Sequence, residues 1–288
     1  SQTTGFSTYS GNIGSVLNKG VEIELTANII RKKDFRWSIS ASYSSVDNKI
    51  TDLYRDNILN AGDGISKRKI GEPINVYNLV RSAGINDQTG VQQWYKIDGT
   101  VTNVYSGSDA VILHGKSPIV KFYGSLSTSL SYKGFDLSAQ LYYSGGNYIM
   151  NYMYQIGASN GQNAKRPQFT DAFNYWKKAG DKTAFPNLKD PSQNITYDSD
   201  KYLEKGDYIT LRDVTLGYSL DAAIAKKIKM KGLRFFVQGT NLWLSTKFKG
   251  LPEVGQANLE DGTYAPGQAT LYAYPQLRAL TFGVDITF

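Results

Sequence analysis

Apolar and polar residues alternate with a period of two along much of the chain, and the clearest case is its last nine residues. Leu280, Phe282, Val284, Ile286 and Phe288 share one face, while Thr281, Gly283, Asp285 and Thr287 share the other, as successive side chains of a β-strand must. Residues 231–242 repeat the pattern with Leu233, Phe235, Val237 and Gly239, and residues 207–219 with Val214, Leu216 and Tyr218. Residues 134–145 set Phe135, Leu137, Ala139, Leu141 and Tyr143 against Asp136, Ser138 and Gln140. Residues 119–132 contribute Phe122, Leu126, Leu130 and Tyr132. Nearer the N-terminus, residues 35–46 alternate through Phe35, Trp37, Ile39, Ala41 and Tyr43, and residues 21–29 set Val21, Ile23, Leu25 and Ala27 against Glu22, Glu24 and Thr26. Weaker patterns at 74–84 and 91–97 bring the expectation to about nine strands, several near the length of a tilted membrane strand.

The spacing between strands narrows the architecture. With the C-terminus on the periplasmic side, the connections alternate between long ones (about 35, 60, 20 and 30 residues) and short turns, the asymmetry of outer-membrane barrels. The short turns are expected at 220–230, Lys133-Gly134, Asn86 to Gly90 and Arg31 to Asp34. A β-sandwich has no reason to sort its loops in this way. The same topology puts Phe35, Tyr132, Phe135, Tyr218 and Phe288 at the periplasmic ends in the outward phase, where an aromatic girdle belongs, and Trp243 in the outward phase near the other rim. The pattern therefore predicts an all-β, antiparallel transmembrane β-barrel. Nine is odd and the first strand enters from outside, so the chain is expected to be the C-terminal portion of a larger barrel. A miscount by one among the weak segments at 74–97 is the other account.

Composition agrees. Of 288 residues 41% are apolar, yet no run nears the roughly 18 that a membrane helix needs, so a membrane protein of this composition must be a barrel. Without cysteine there is neither disulfide framework nor thiolate metal site. The net charge is +7, with no basic cluster beyond Lys226 to Lys231, which reads as a solvated turn. Nucleic-acid binding has little support. Ser1 opens the chain without a charged-then-apolar leader, so a signal peptide is expected to have been removed or to belong upstream.

The final strand also resembles the assembly signal of bacterial barrels in Thr281, Gly283, Ile286 and Phe288. Further upstream, Asn12-Ile13-Gly14-Ser15 with Asn18-Lys19-Gly20-Val21-Glu22-Ile23-Glu24-Leu25 resembles TonB-dependent outer-membrane transporters, and among them the SusC/RagA branch of Bacteroidetes. The same branch is matched, in order, by Lys121-Phe122-Tyr123-Gly124, Ser131 through Ser138, Tyr208 through Tyr218, Gly239-Thr240-Asn241-Leu242 and Tyr274-Pro275-Gln276. The resemblance implies a 22-stranded barrel with an N-terminal plug, importing oligosaccharides or peptides beneath a SusD-like surface lipoprotein and powered by the TonB complex. Plug, earlier strands and TonB-contacting motif are expected outside this chain, which would be residues 1–288 of barrel alone, seated in outer-membrane lipid. A small self-contained barrel acting as an adhesin or structural protein is the alternative, and a secreted glycan-binding module a more distant one. The family's acidic loop before the Lys-Phe-Tyr-Gly strand reads here Asp98-Gly99-Thr100 through His114-Gly115, without the clustered oxygens of a calcium loop.

No catalytic residue, metal site or cofactor is expected. His114 is the only histidine and has no nearby second ligand in the sequence. Glu22, Glu24, Asp136 and Asp285 point inward and would line a wet wall in preference to forming an acid–base pair. Arg212 and Asp213, being neighbours in a strand, are expected on opposite faces. Contacts with ligand or partner are expected in the loop at 145–206, through Tyr148, Tyr152, Tyr154, Phe169, Tyr175 and Trp176, with a short helix starting near Thr170-Asp171. Aromatic rings there offer flat apolar faces to sugars or to a protein lid, or supply the loop with a small core of its own.

Overall fold

The computed structural model describes residues 14–54, 57–159, 167–188, 195–254, 256–258, 264–266, 268–269 and 276–288. Asn12, Ile13, Tyr272, Tyr274 and Pro275 lie outside the described residues, as does the side chain of Tyr264. Seven long strands make one sheet: β1 (Gly14–Arg31), β2 (Phe35–Leu53), β3 (Phe122–Tyr132), β4 (Phe135–Gly145), β5 (Tyr208–Ser219), β6 (Gly232–Thr246) and β7 (Ala279–Thr287). Spatial order equals chain order and each neighbour is antiparallel, an up-and-down meander.

The alternation decides which face is which. Leu280 and Phe282 of β7 are 65% and 78% exposed, so no second sheet covers the apolar face among the described residues. That arrangement is unstable in water and correct in lipid. Register aligns the faces across the wall: Trp37 opposes Leu130, Leu137 opposes Leu130 and Leu216, and Val237 opposes Leu216 and Phe282. The opposite face carries Ser38, Ser40 and Ser42 of β2 in register with Ser129, Ser127 and Ser125 of β3. Strands β1 and β2 reach 18 and 19 residues. At about 3.3 Å per residue that is about twice the roughly 30 Å thickness of a bilayer's hydrocarbon core, and the paired ends at Gly14 and Leu53 extend past the other wall strands as a two-stranded ribbon.

Three connections are short and fall at one end: 32–34, 133–134 and 220–231. Three are long and fall at the other: 54–121, 146–207 and 247–278. At Lys133-Gly134 both residues have positive φ, 44° and 90°, the two-residue hairpin geometry that matches strand twist.

The expectation of nine wall strands is corrected to seven. Segments 74–84 and 91–97 form short paired pieces, Val76–Leu79, Arg81–Ile85 and Gln92–Tyr95, inside the first long connection. Val76, Tyr77, Leu79 and Val80 are all buried, at consecutive rather than alternate positions, so their apolar character serves a loop core and not a lipid face. Asn86 to Gly90 is accordingly no periplasmic turn. It is a tight bend within that loop, closed by Asn86 Oδ1 accepting from the Gln88 and Thr89 N–H groups at 2.9 and 3.0 Å.

Candidate functional site

The polar face and the loop cap above it are two surfaces able to meet a ligand. On the polar face, small serines leave a shallow recess of about 420 Å³ between β2, β3 and β4, bordered by Gln140 and Asp213. Closer to the short-turn end, Arg234 of β6 reaches across Gly217 and clasps Asp136 of β4 with two hydrogen bonds of 3.0 and 2.7 Å. It also holds Asp285 of β7 at 3.1 Å. A Cβ at 217 would lie 2.5 Å from the guanidinium and 2.6 Å from the carboxylate, so glycine makes the crossing possible. Gly283 likewise leaves room for the Phe236 ring, over which Arg234 stacks at 5.1 Å. Asp136 and Asp285 are therefore spoken for by one arginine, while Glu22 and Glu24 stand in register with Ser44 and Ser42. This Arg234 clasp binds β4, β6 and β7 of the wall together.

Arg212 and Asp213 do not face opposite ways, contrary to expectation. A β-bulge leaves Arg212 without a register partner between Leu211 and Asp213, which shifts the alternation by one. Both side chains then lie on the polar face. Arg212 stacks on Tyr142 at 4.4 Å and sits 3.6 Å from Glu253 of the third loop. Asp213 accepts from Gln238 at 2.6 Å and Thr215 at 3.1 Å. The bulge left a trace in the sequence: outward apolar residues run Ile209, Leu211 and then Val214, Leu216, a skip of three.

The first two long connections fold into a cap around a common core that includes Tyr77, Leu79, Met150, Tyr154, Phe185, Ile195 and Tyr202, and the third joins it through Phe248 packed on Ile149 and the Lys249 carbonyl, which accepts from Asn151 at 2.9 Å. Of the expected contact residues, Tyr154 is in this core, and Tyr148, Tyr152 and Tyr175 pack against it. Tyr152 and Tyr154 begin a short helix α1 (Tyr152–Gly157), capped by Asn151 through a 2.9 Å bond to the Tyr154 N–H. Trp176 lies over Gly90 and donates its indole N–H to the Asp87 carbonyl at 2.8 Å, stapling the second loop to the first. Phe169 packs over Gly157 and remains 38% exposed, while Phe173, in the 3₁₀ turn Thr170–Phe173, is 72% exposed. These two rings face solvent; the others hold the cap.

Sequence reading missed the polar groups that accompany these rings. Lys249 of the third loop donates to the Tyr154 hydroxyl at 2.6 Å and to Asp171 at 3.1 Å, and the Tyr154 hydroxyl donates to Asp171 at 2.8 Å. Burial pulls the Lys249 pKa down, but the phenol and carboxylate more than offset it and hold the ammonium above its usual value. Lys201 is placed differently. Its ammonium donates to Gln92 Oε1 and the Ala184 carbonyl, both at 2.9 Å, between the rings of Phe185 and Tyr202. Burial, with a smaller push from Lys249, brings its pKa down to about 8. His114 has its Nδ1 against Glu72 Oε1, and the Gly115 N–H donates to the same carboxylate at 3.0 Å. Burial would raise the Glu72 pKa, but His114, Gly115 and Lys69 hold it below the usual carboxylate value. Among the described residues no cluster of three His, Cys, Asp or Glu is arranged to hold a metal. Residues that meet from loops so far apart in sequence leave no local signal.

No protein-family profile matches the chain. The TonB-dependent receptor P26 of Formosa agariphila is 26% identical over an alignment of 310 residues, which covers 99% of this chain and 30% of the relative. The TonB-dependent receptor SusC of Bacteroides thetaiotaomicron is 26% identical, with 96% of this chain and 27% of SusC covered. Among solved structures, the RagAB peptide transporter superposes over 100% of this chain and 31% of its own with a TM-score of 0.82 and 25% identity. The RagAB peptide importer in its open-open state does so with a TM-score of 0.85 over 30% of its length. Each of these relatives is a receptor, transporter or importer. Over nearly its whole length the chain is thus similar, in sequence and in the fold of its strand wall, to SusC/RagA-like TonB-dependent receptors, of which it spans about 30%.

Proposed function

We propose that residues 1–288 form the C-terminal part of the barrel of an outer-membrane active transporter that imports oligosaccharides or peptides. The observation that carries this reading is the open meander. Seven strands with a bare apolar face end in two edges, β1 and β7, that do not pair with each other among the described residues. In a bilayer such edges must be satisfied by further strands. A self-contained adhesin barrel of this wall would leave them unmet. The remaining strands, a plug and the TonB contact belong to parts outside this chain, and a SusD-like lipoprotein is the partner for the cap. Within the cap, Phe169 and Phe173 are exposed rings that substrate or lid would meet, supported by Tyr148, Tyr152, Tyr154, Tyr175 and Trp176. Thr281, Gly283, Ile286 and Phe288 serve barrel assembly.

Uptake tests this reading. Cells carrying the protein should accumulate labelled peptides or oligosaccharides too large for porins, and should stop when the proton motive force is collapsed or the gene deleted. The protein extracted in mild detergent should bring a lipoprotein with it. Uptake indifferent to both treatments would overturn the transporter reading and favour adhesion by the loops.

A further inference from the structure

The three short turns concentrate basic side chains at one end of the sheet. Arg31, Lys32 and Lys33 occupy the first and Lys133 the second, while Lys226, Lys227, Lys229 and Lys231 occupy the third; against them stand only Asp34 and Asp221. These few residues carry a net charge of +6, of +7 for the entire chain. All eight basic side chains are exposed, and among the described residues none is in a salt bridge.

Backbone hydrogen bonds join the turns into one continuous rim. The Lys133 N–H donates to the Asp34 carbonyl at 3.2 Å, Ser219 to Gly134 at 2.7 Å, and Lys231 to Thr287 at 2.7 Å. Thus the charges are fixed side by side along one end of the sheet. Directly next to them on the apolar face lie Tyr132, Phe135 and Phe288, 46%, 53% and 76% exposed. Lys133 holds its ammonium 5.3 Å from the Tyr132 ring.

The third turn contains the second observation. A short helix, α2 (Ala222–Lys227), is capped by Asp221 and tucks Ala225 inward. Ile224 and Ile228, four residues apart, are nevertheless 49% and 48% exposed amid the four lysines. A purely water-facing turn gains nothing from two bare isoleucines on one helical face. Basic side chains interleaved with apolar ones beside an aromatic belt have the chemistry of a lipid headgroup boundary: ammonium groups meet phosphate while isoleucines enter the acyl edge.

We propose that this rim is a binding surface for anionic phospholipid headgroups of the periplasmic leaflet, centred on Lys226, Lys227, Lys229 and Lys231 with Ile224 and Ile228 as its apolar anchors. The proposal rests on the outer-membrane reading above. It commits to lipid phosphate, since free phosphate would leave the isoleucines and the girdle without a role.

The test is native mass spectrometry of the full detergent-extracted protein equilibrated with phosphatidylglycerol or phosphatidylethanolamine. Two variants are compared, K226Q/K227Q/K229Q/K231Q and the loop control K177Q/K178Q/K182Q/K205Q. Wild type and control should retain phosphatidylglycerol over phosphatidylethanolamine. The rim variant should lose that preference by on the order of tenfold at about 0.15 M salt, and I224S/I228S should weaken both lipids. Unchanged phosphatidylglycerol retention in the rim variant, or loss of equal size in the loop control, overturns the proposal. Unboiled and boiled gel mobility read alongside separates this from failure of the barrel reading: a protein without a heat-dependent shift is not a membrane barrel at all.

Discussion

Gly283 and Gly217 show how single residues set the polar face. Each lies where a neighbouring side chain crosses the strand: Phe236 over Gly283, and Arg234 over Gly217 toward Asp136. Replacing Gly283 by valine must eject the Phe236 ring, a stiff obstacle with no free end to bend away. The heat-shifted, folded band on unboiled gels should fall strongly for Gly283→Val and only partly for Gly283→Ala; full recovery in both would show that the ring has another place to go. At position 217 the obstacle is the flexible end of arginine, so Gly217→Ala should act only by breaking the Arg234 clasp. The ion pairs are partly exposed, so the cost should be about 1 kcal/mol or less. Gly217→Ala and Arg234→Ala should each lower the thermal midpoint in detergent, and the double variant should be no worse than the single ones. Additive losses would mean that the glycine matters for a different reason.

At the scale of elements, the wall strands were legible because lipid on one side and water on the other enforce strict alternation. Residues 35–46 and 134–145 declared themselves for that reason. The strands at 74–84 and 91–97 were legible as strands but not as loop strands, since nothing in the sequence shows that Val76, Tyr77 and Leu79 are surrounded by protein and not by lipid. The extra residue at Arg212 was visible as a break of phase between Leu211 and Val214. In contrast, the irregularity in β6 between Thr240 and Trp243 spends two residues, Asn241 and Leu242, and so restores the phase silently. The cap's aromatic content could be seen, but which ring is buried could not, because contacts such as Trp176 on Gly90 depend on how loops close. Lys201 is such a closure point, bridging Gln92 of the first loop and Ala184 of the second. Its pKa is about 8 in the fold against 10.5 for an ordinary lysine, so between those values the unfolded chain binds more protons. Stability therefore rises with pH across that window, by at most about 1.4 kcal/mol per pH unit, and the cost of the buried charge is fully present below pH 8. Thermal unfolding of the cap, followed by protease sensitivity of the loops, should shift upward from pH 8 to 10 in wild type and much less in Lys201→Met. A flat profile in wild type would mean that Lys201 is hydrated or paired in solution.

For the whole molecule, the argument turns on sidedness. Every short turn lies at one end with the basic rim, and every long connection lies at the other, where shared burial of Tyr77, Tyr154 and Tyr202 unites the first two and Lys249 ties on the third. Such a polarised sheet has one sensible orientation in an outer membrane, with the cap outside and the rim in the periplasm. With no cysteine among these 288 residues, introduced cysteines can report the orientation. Cysteines placed at Phe173 or Val104, which are 72% and 70% exposed in the cap, should react with a membrane-impermeant maleimide on intact cells. Cysteines at Lys33 or Lys229, exposed in the rim, should react only after the outer membrane is permeabilised. Labelling of both sets on intact cells would place the protein outside a membrane, as a secreted β-rich module would be. The reverse pattern would invert the topology and, with it, place the exposed rings of Phe169 and Phe173 where no extracellular nutrient could reach them.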